Sequence, residues 1–336
     1  MKYILYIGNK LSSKPGNLTS IDILCPLLKQ EGYQVFYASA KTNKFVRFLD
    51  MLWTCFKLRQ TVDVVLIDTY STLNFFYAFF VSQLCRILKL KYIPILHGGN
   101  LPKRLRENPL FCRLIFNNAY KNVSPSQYLK KAFEAFGYSN IIYIPNTIEL
   151  QQYVFKQRDL QEVKLFWVRA FSNIYNPTLA VKILKALQDE GIKTSLCMVG
   201  PDADGSLAEV IALANKLHVD VIFTGKLTKP EWIALSQDYT VFINTTNFDN
   251  MPVSVIEAMA LGLPVVSTNV GGMPFLIENE VDGLLIAPNS VDAFVDAIKT
   301  IIHHPEKAIK MTHQARLKVE QFDRDIVKQQ WLALFQ

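Results

Sequence analysis

The chain has 336 residues and a formal net charge of +7, with half of its residues apolar and 19% charged. That length exceeds one ordinary core and fits two domains of roughly 100 to 200 residues, while the composition excludes a disordered chain. Five cysteines, Cys25, Cys55, Cys85, Cys112 and Cys197, form no Cys-x-x-Cys pair, so neither a disulfide framework nor a zinc site is expected and a reducing compartment is.

In chain order, Tyr3 to Ile7 is an apolar run too short for a signal peptide core and reads as a first buried strand. Further strand-like runs at 35–38, 62–67, 93–96 and 141–144 alternate with segments of helical period. That rhythm belongs to a parallel sheet covered by helices on both faces. The apolar stretch from Phe75 to Leu90 is broken by Ser82, Gln83, Arg86 and Lys89, short of the ~18 to 20 apolar residues a spanning helix needs. After a polar stretch, 151–162, the rhythm restarts with strand-like runs at 164–168, 194–199, 221–224, 240–244, 264–267 and 284–286. Two domains follow, 1–155 and 156–319, with the amphipathic end of the chain, 320–336, available to pack back on the first.

Helix punctuation sharpens the second half. Asn176-Pro177 starts a helix that Gly191 ends, and Thr228-x-x-Glu231 has capping-box spacing. Asn250-Met251-Pro252 opens a helix that runs to Gly262. The first backbone N–H groups of such a helix, from about Val253 through Ser254 to Val255, are free to hold a phosphate. Two turns in, Glu257 offers a carboxylate able to accept two hydrogen bonds from a vicinal diol such as ribose.

The charge is unevenly divided. Residues 1–150 carry 19 Lys and Arg against 8 Asp and Glu, whereas residues 151–336 carry 17 against 21. A basic first half fits an anionic partner surface. Within it, residues 41–60 set Lys41, Lys44, Arg47, Lys57 and Arg59 around Phe45, Phe48, Leu49, Leu52, Trp53 and Phe56, the pattern of a basic amphipathic helix on an anionic membrane. A second cluster, Lys103, Arg104 and Arg106, follows His97-Gly98-Gly99 and is placed to meet a phosphate of an acceptor.

The run Asp249-x7-Glu257, then Ala258-Met259-Ala260-Leu261-Gly262-Leu263-Pro264-Val265 and Gly271-Gly272, closely resembles the signature of the family 4 (group 1) glycosyltransferases of GT-B fold. His97-Gly98, Val123-Ser124-Pro125-Ser126, Ile144-Pro145-Asn146, Val199-Gly200 and Phe223-x-Gly225 extend the resemblance over about residues 3 to 290. It implies an α/β fold of two Rossmann-like, doubly wound parallel-sheet domains facing across a cleft. It implies a retaining transferase that moves a sugar from a UDP- or GDP-sugar to a hydroxyl of a glycan or lipid-linked acceptor, in envelope polysaccharide or glycolipid synthesis. By the same resemblance Glu257 binds the ribose, the amides after Pro252 the phosphates, and Asp249 with the Asn250-Met251 backbone the sugar. His97 reaches the sugar near the reacting carbon, Gly16 lies in a loop facing phosphate or acceptor, and Arg169 binds the pyrophosphate. His97, Asp249 and Arg169 are the expected catalytic residues.

The sequence departs from the family pattern at three places. The first acid is Asp249 in place of the commoner Glu, the loop at Lys14-Pro15-Gly16-Asn17 has one glycine where many relatives have two, and no lysine follows Arg169 at about five residues. Lys226 is the candidate replacement. Asp202-Ala203-Asp204 lies among Gly200, Pro201 and Gly205 and reads as a turn, so no metal or other cofactor is expected. The partners expected are the donor, the acceptor and an anionic membrane surface, with no nucleic acid, on the cytoplasmic side. Rival readings are a GT-B epimerase or phosphorylase, and a non-catalytic membrane or nucleic-acid binding protein. A nicotinamide dehydrogenase is disfavoured because no Gly-x-Gly-x-x-Gly follows the first strand.

Overall fold

A computed structural model describes residues 1–10 and 19–336. The chain divides into two compact units, residues 1–145 with 327–336, and residues 146–326.

The first unit runs β1 (Tyr3–Ile7), α1 (Ser20–Gln30), β2 (Gln34–Ala38), α2 (Lys44–Lys57), β3 (Val64–Thr69), α3 (Phe75–Ile87), β4 (Lys91–Leu96), α4 (Leu101–Glu107), α5 (Pro109–Phe116), β5 (Asn122–Ser124), α6 (Gln127–Ala135) and β6 (Ile141–Tyr143). Its six strands pair in parallel in the order β2-β1-β3-β4-β5-β6. Every residue of β3 is buried, as a strand covered on both faces requires. One face packs Ile4, Tyr6, Leu66 and Ile93 under α1, and the other packs Leu5, Ile7, Val65 and Ile67 under α2 and α3. The three-residue strand β5 lay outside the runs expected from sequence: its Asn122 and Ser124 are polar, yet buried and hydrogen-bonded.

The second unit runs β7 (Val163–Val168), α7 (Pro177–Asp189), β8 (Thr194–Val199), α8 (Ser206–Leu217), β9 (Val221–Gly225), α9 (Lys229–Leu235), β10 (Val241–Asn244), α10 (Val253–Ala260), β11 (Val265–Thr268), α11 (Met273–Leu276), β12 (Leu284–Ile286), α12 (Val291–His303) and α13 (Pro305–Glu320). Its strands are also parallel, in the order β12-β11-β10-β7-β8-β9. Trp167, Phe171 and Phe294 are fully buried in its main cluster, and burial of each such side chain contributes about 1.5–3 kcal/mol. The last helix, α14 (Arg324–Phe335), belongs to the first unit from Val327 onward. There Val327, Trp331 and Phe335 join the α1 face, Lys328 pairs with Glu31, and the N-terminal amine donates to the Phe335 carbonyl.

The division at 145/146 falls ten residues before the boundary read from polarity. Half of residues 146–155 are apolar, and Ile148 and Tyr153 are buried in the second unit's core while Asn146 Nδ2 donates to the Met251 carbonyl at 3.2 Å. No helix among the described residues is long and apolar enough to cross a membrane.

Candidate active site

In an open α/β sheet, ligands bind beyond the carboxyl ends of the strands where the strand order reverses. In the second unit that reversal lies between β7 and β10. Arg169 leaves β7 there, and the loop 245–252 leaves β10 and leads into α10. The loop is tied on all sides. Thr246 Oγ1 donates to the Ile174 carbonyl, Thr268 Oγ1 to the Thr246 carbonyl at 2.6 Å, and the Gly272 amide to the Asp249 carbonyl at 2.9 Å. A Cβ at Gly272 would lie 1.6 Å from the Asn250 carbonyl oxygen, and one at Gly271, where φ is +54°, 2.2 Å from that of Asp249. Only glycines allow the 271–272 turn to lie this close to the loop.

Pro252 caps α10 in extended backbone, with φ −70° and ψ 119°. Of the three expected donors, Val255 is a correction: its amide bonds the Pro252 carbonyl at 3.2 Å. Val253 and Ser254, ahead of the first intrahelical bonds, keep donors at the positive end of the helix. Ser254 Oγ is buried and without a partner, an unspent hydrogen-bonding group at the same helix start. Asn250, Met251 and Pro252 are buried beside it.

Glu257 is 3% exposed. Tyr153 Oη donates to its Oε1 at 2.7 Å and Lys229 Nζ pairs with the same oxygen, so Oε2 keeps its hydrogen-bonding capacity among the described residues. Burial pushes the Glu257 carboxyl up, and Lys229 and Tyr153 oppose the shift. Burial likewise raises the Tyr153 phenol, with the Glu257 charge adding to it. Lys229 also lies 5.5 Å from the Trp232 ring centroid. Sequence reading missed both Tyr153 and Lys229; the Thr228 capping box, which fixes Lys229 as the first residue of α9, was the available signal. Lys226 is exposed at the end of β9 and makes no charged contact among the described residues. The cation that reaches Glu257 is Lys229.

Arg169 and Asp249 form an ion pair, with side chains 14% and 13% exposed. The guanidinium carbon sits 4.0 Å from the Tyr175 ring centroid, Nε is buried without a partner, and Asp249 Oδ1 accepts from the Asn250 amide at 2.8 Å. Asp204, expected in a turn, accepts from Ser172 Oγ and the Asn173 amide.

In the first unit the reversal lies between β1 and β3. Asp68 there is 6% exposed, and its Oδ1 receives Tyr6 Oη and bonds His97 Nε2, each at 2.8 Å. Asp68 Oδ2 is buried without a partner, 2.4 Å from where a Cβ on Gly8 would be. The Tyr70 ring stacks on His97 at 5.0 Å. Burial, with the Asp68 charge second, raises the Tyr6 phenol well above its ordinary value. Of this group only His97 was expected from sequence. Gly16 falls in residues 11–18, outside the described ones.

Among the tentative basic residues, two are corrected. Arg47 is 5% exposed and turned into the unit, with Nε and Nη1 lacking partners. Arg104 is committed within its unit, through Nε to the Ser71 carbonyl at 2.7 Å and Nη1 to Asn108 at 2.8 Å. Lys103 is exposed and pairs with Glu107 at 3.7 Å. Lys57 is exposed at the end of α2, and Arg106, with Arg113 and Asn117, borders a hollow of about 580 Å³.

Residues 152–318 match the family described as glycosyl transferases group 1. The second unit is a group 1 glycosyltransferase domain. It is 30% identical over 152 residues to the sulfoquinovosyl transferase of Arabidopsis thaliana, covering 43% of this chain and 28% of that protein. It is 24% identical over 259 residues to an amylovoran biosynthesis glycosyltransferase of Erwinia amylovora, covering 73% and 63%. The chain therefore spans less than two thirds of either relative. Among solved structures, Anabaena HepE in complex with UDP and glucose superposes with a TM-score of 0.79 at 18% identity, over 100% of this chain and 99% of HepE. Together with the two six-stranded parallel sheets, that likeness makes the fold of the chain GT-B.

Proposed function

We propose that the chain is a retaining glycosyltransferase of family 4 that transfers a hexose or related sugar from a UDP- or GDP-sugar to a hydroxyl of a glycan or lipid-linked acceptor. The observation that carries this is the buried Glu257, held through Oε1 alone on the helix whose N-terminus follows the tied 245–252 loop. A carboxylate so placed accepts from a ribose diol while the Val253 and Ser254 amides hold phosphate. Arg169, whose Nε is unspent, offsets charge on the departing diphosphate. Asp249 and the Asn250-Met251 backbone are assigned to the sugar, and His97, oriented by Asp68, to the transfer step.

In the transfer the bond from the anomeric carbon to the diphosphate oxygen breaks and the acceptor oxygen bonds the same face. The acceptor proton goes to the leaving phosphate. No resident metal is invoked, because the cationic guanidinium and helix terminus meet the charge that develops. The resemblance to proteins of polysaccharide and glycolipid synthesis supports a role in building the cell envelope, at the cytoplasmic side of the membrane.

Calorimetry with UDP, GDP, ADP and CMP on the purified protein and on Glu257→Ala tests the reading. One diphosphate is expected to bind selectively, at least about tenfold weaker in the variant, as expected for loss of hydrogen bonds to a charged group. Failure of all four to bind sinks it. With donor and acceptor in hand, the anomeric coupling constant of the product by proton NMR decides retention against inversion.

A further inference from the structure

Helix α2 shows solvent the face that amphipathic packing normally hides. Arg47, Met51 and Cys55 point inward, while Phe45, Val46, Leu49, Trp53 and Phe56 are exposed, Phe45 at 68% and Trp53 at 63%. Aromatic contacts carry this surface across two further helices. Phe48 meets Tyr77 and Phe80 of α3 at 5.7 and 5.4 Å, Phe80 meets Phe79, and Phe79 meets Phe111 of α5 at 4.9 Å. Phe80, Leu110, Phe111 and Leu114 are themselves exposed. An apolar surface that spans three helices marks an interaction site.

Charge decides the partner. The exposed charged side chains of α2, α3 and α5 are Lys44, Lys57, Arg86 and Arg113, and the single acid on these helices is the half-buried Asp50. The Arg59 guanidinium lies over the Phe56 ring at 4.1 Å, an apolar stem with its charge kept at the surface. A second copy docking on this face would oppose like charges. Aromatic side chains on helices whose exposed charges are all cationic match the headgroup boundary of a bilayer with anionic lipids.

We propose that the outer surface of α2, α3 and α5 docks the chain on an anionic lipid bilayer, with Phe45, Leu49, Trp53 and Phe56 entering the headgroup boundary. The inference is independent of the donor assignment, since it concerns only the first unit's outer helices. It also replaces the membrane role read for Arg47, which is buried, with the apolar stripe beside it.

The sequence supplies its own probe. Of four tryptophans, Trp167, Trp232 and Trp331 are 0%, 4% and 7% exposed, so Trp53 dominates any emission change on docking. The full chain is titrated with phosphatidylcholine vesicles, with and without about 30% phosphatidylglycerol. A blue shift and co-sedimentation are expected with anionic vesicles, and release at about 0.5 M salt, where the Debye length is short. Trp53→Phe keeps the partition and loses the blue shift. The pair Phe45→Ser with Trp53→Ser, and separately Lys44→Glu with Lys57→Glu, lower the partition about tenfold with an unchanged melting temperature. No partition, equal partition of the variants, or a dimer that these substitutions dissociate overturns the proposal; the last assigns the face to a second copy.

Discussion

Gly272→Ala probes how the 245–252 loop is held. Its new Cβ would lie 1.6 Å from the Asn250 carbonyl oxygen, 2.6 Å from the carbonyl carbon and 3.2 Å from the Asn250 Cα. Real contacts do not fall below 3.0 Å, so that carbonyl must retreat by about 1.4 Å, and a forced backbone shift of this kind costs about 1–3 kcal/mol. The displaced segment leads directly into Pro252 and the first turn of α10, and misplacement on the order of 1 Å costs about a hundredfold where geometry matters. The control is Gly205→Ala. Gly205 has φ +88° and nothing within 4 Å of a new Cβ, so it loses only the strain of a left-handed residue, about 1–2 kcal/mol. Thermal unfolding, and calorimetry with whichever nucleoside diphosphate the parent protein binds, separate strain from displacement in the two variants. Gly205→Ala is expected to bind like the parent protein, and Gly272→Ala at least about tenfold weaker. Equal affinity of the two variants for that diphosphate refutes the idea that this turn positions the loop.

Three further outcomes follow from the same geometry. Burial raises the Glu257 carboxyl in the folded state, so the native protein holds that proton more tightly than the unfolded chain and stability falls as pH rises from the ordinary carboxyl range through the folded pKa. Glu257→Gln removes this penalty: its melting temperature relative to the parent should rise as pH increases above the ordinary carboxyl range, while nucleotide binding is lost, and a pH-independent difference contradicts the reading. Asp68→Asn takes the charged acceptor from His97 and Tyr6 and is expected to lower turnover about tenfold or more with affinity for the nucleoside diphosphate unchanged; unchanged kcat would remove Asp68 from the transfer step. Lys318→Met leaves the Asp282 carboxylate, 2% exposed, with the Glu278 amide as its one remaining partner among the described residues, and should cost about 2 kcal/mol or more of stability by denaturant unfolding without altering nucleotide binding at low temperature.

The sequence by itself determined the elements and the place of the donor-loop signature. All six strands of the second unit, the Thr228 capping box and the start of α10 at Pro252 are local matters of apolar runs, caps and proline, which a linear pattern carries. Arg169, Asp249 and Glu257 were legible for another reason: the family signature they resemble singled them out, Arg169 and Asp249 after strand ends and Glu257 on α10. Tertiary structure decided their partners. Tyr153 stands 104 residues from Glu257 and Asp68 29 residues from His97, distances no periodicity encodes: Tyr153, ahead of β7, meets α10 in the packed second unit, and Asp68 meets His97 because β3 and β4 pair in parallel with Thr69 opposite Leu96. The same holds for the α2 face. Its amphipathic composition was visible in sequence, but which side turns to solvent was not, since Arg47 lies within the unit and Trp53 outside it. That choice depends on how α2 packs on β2 and α3, and packing is a property of the folded chain.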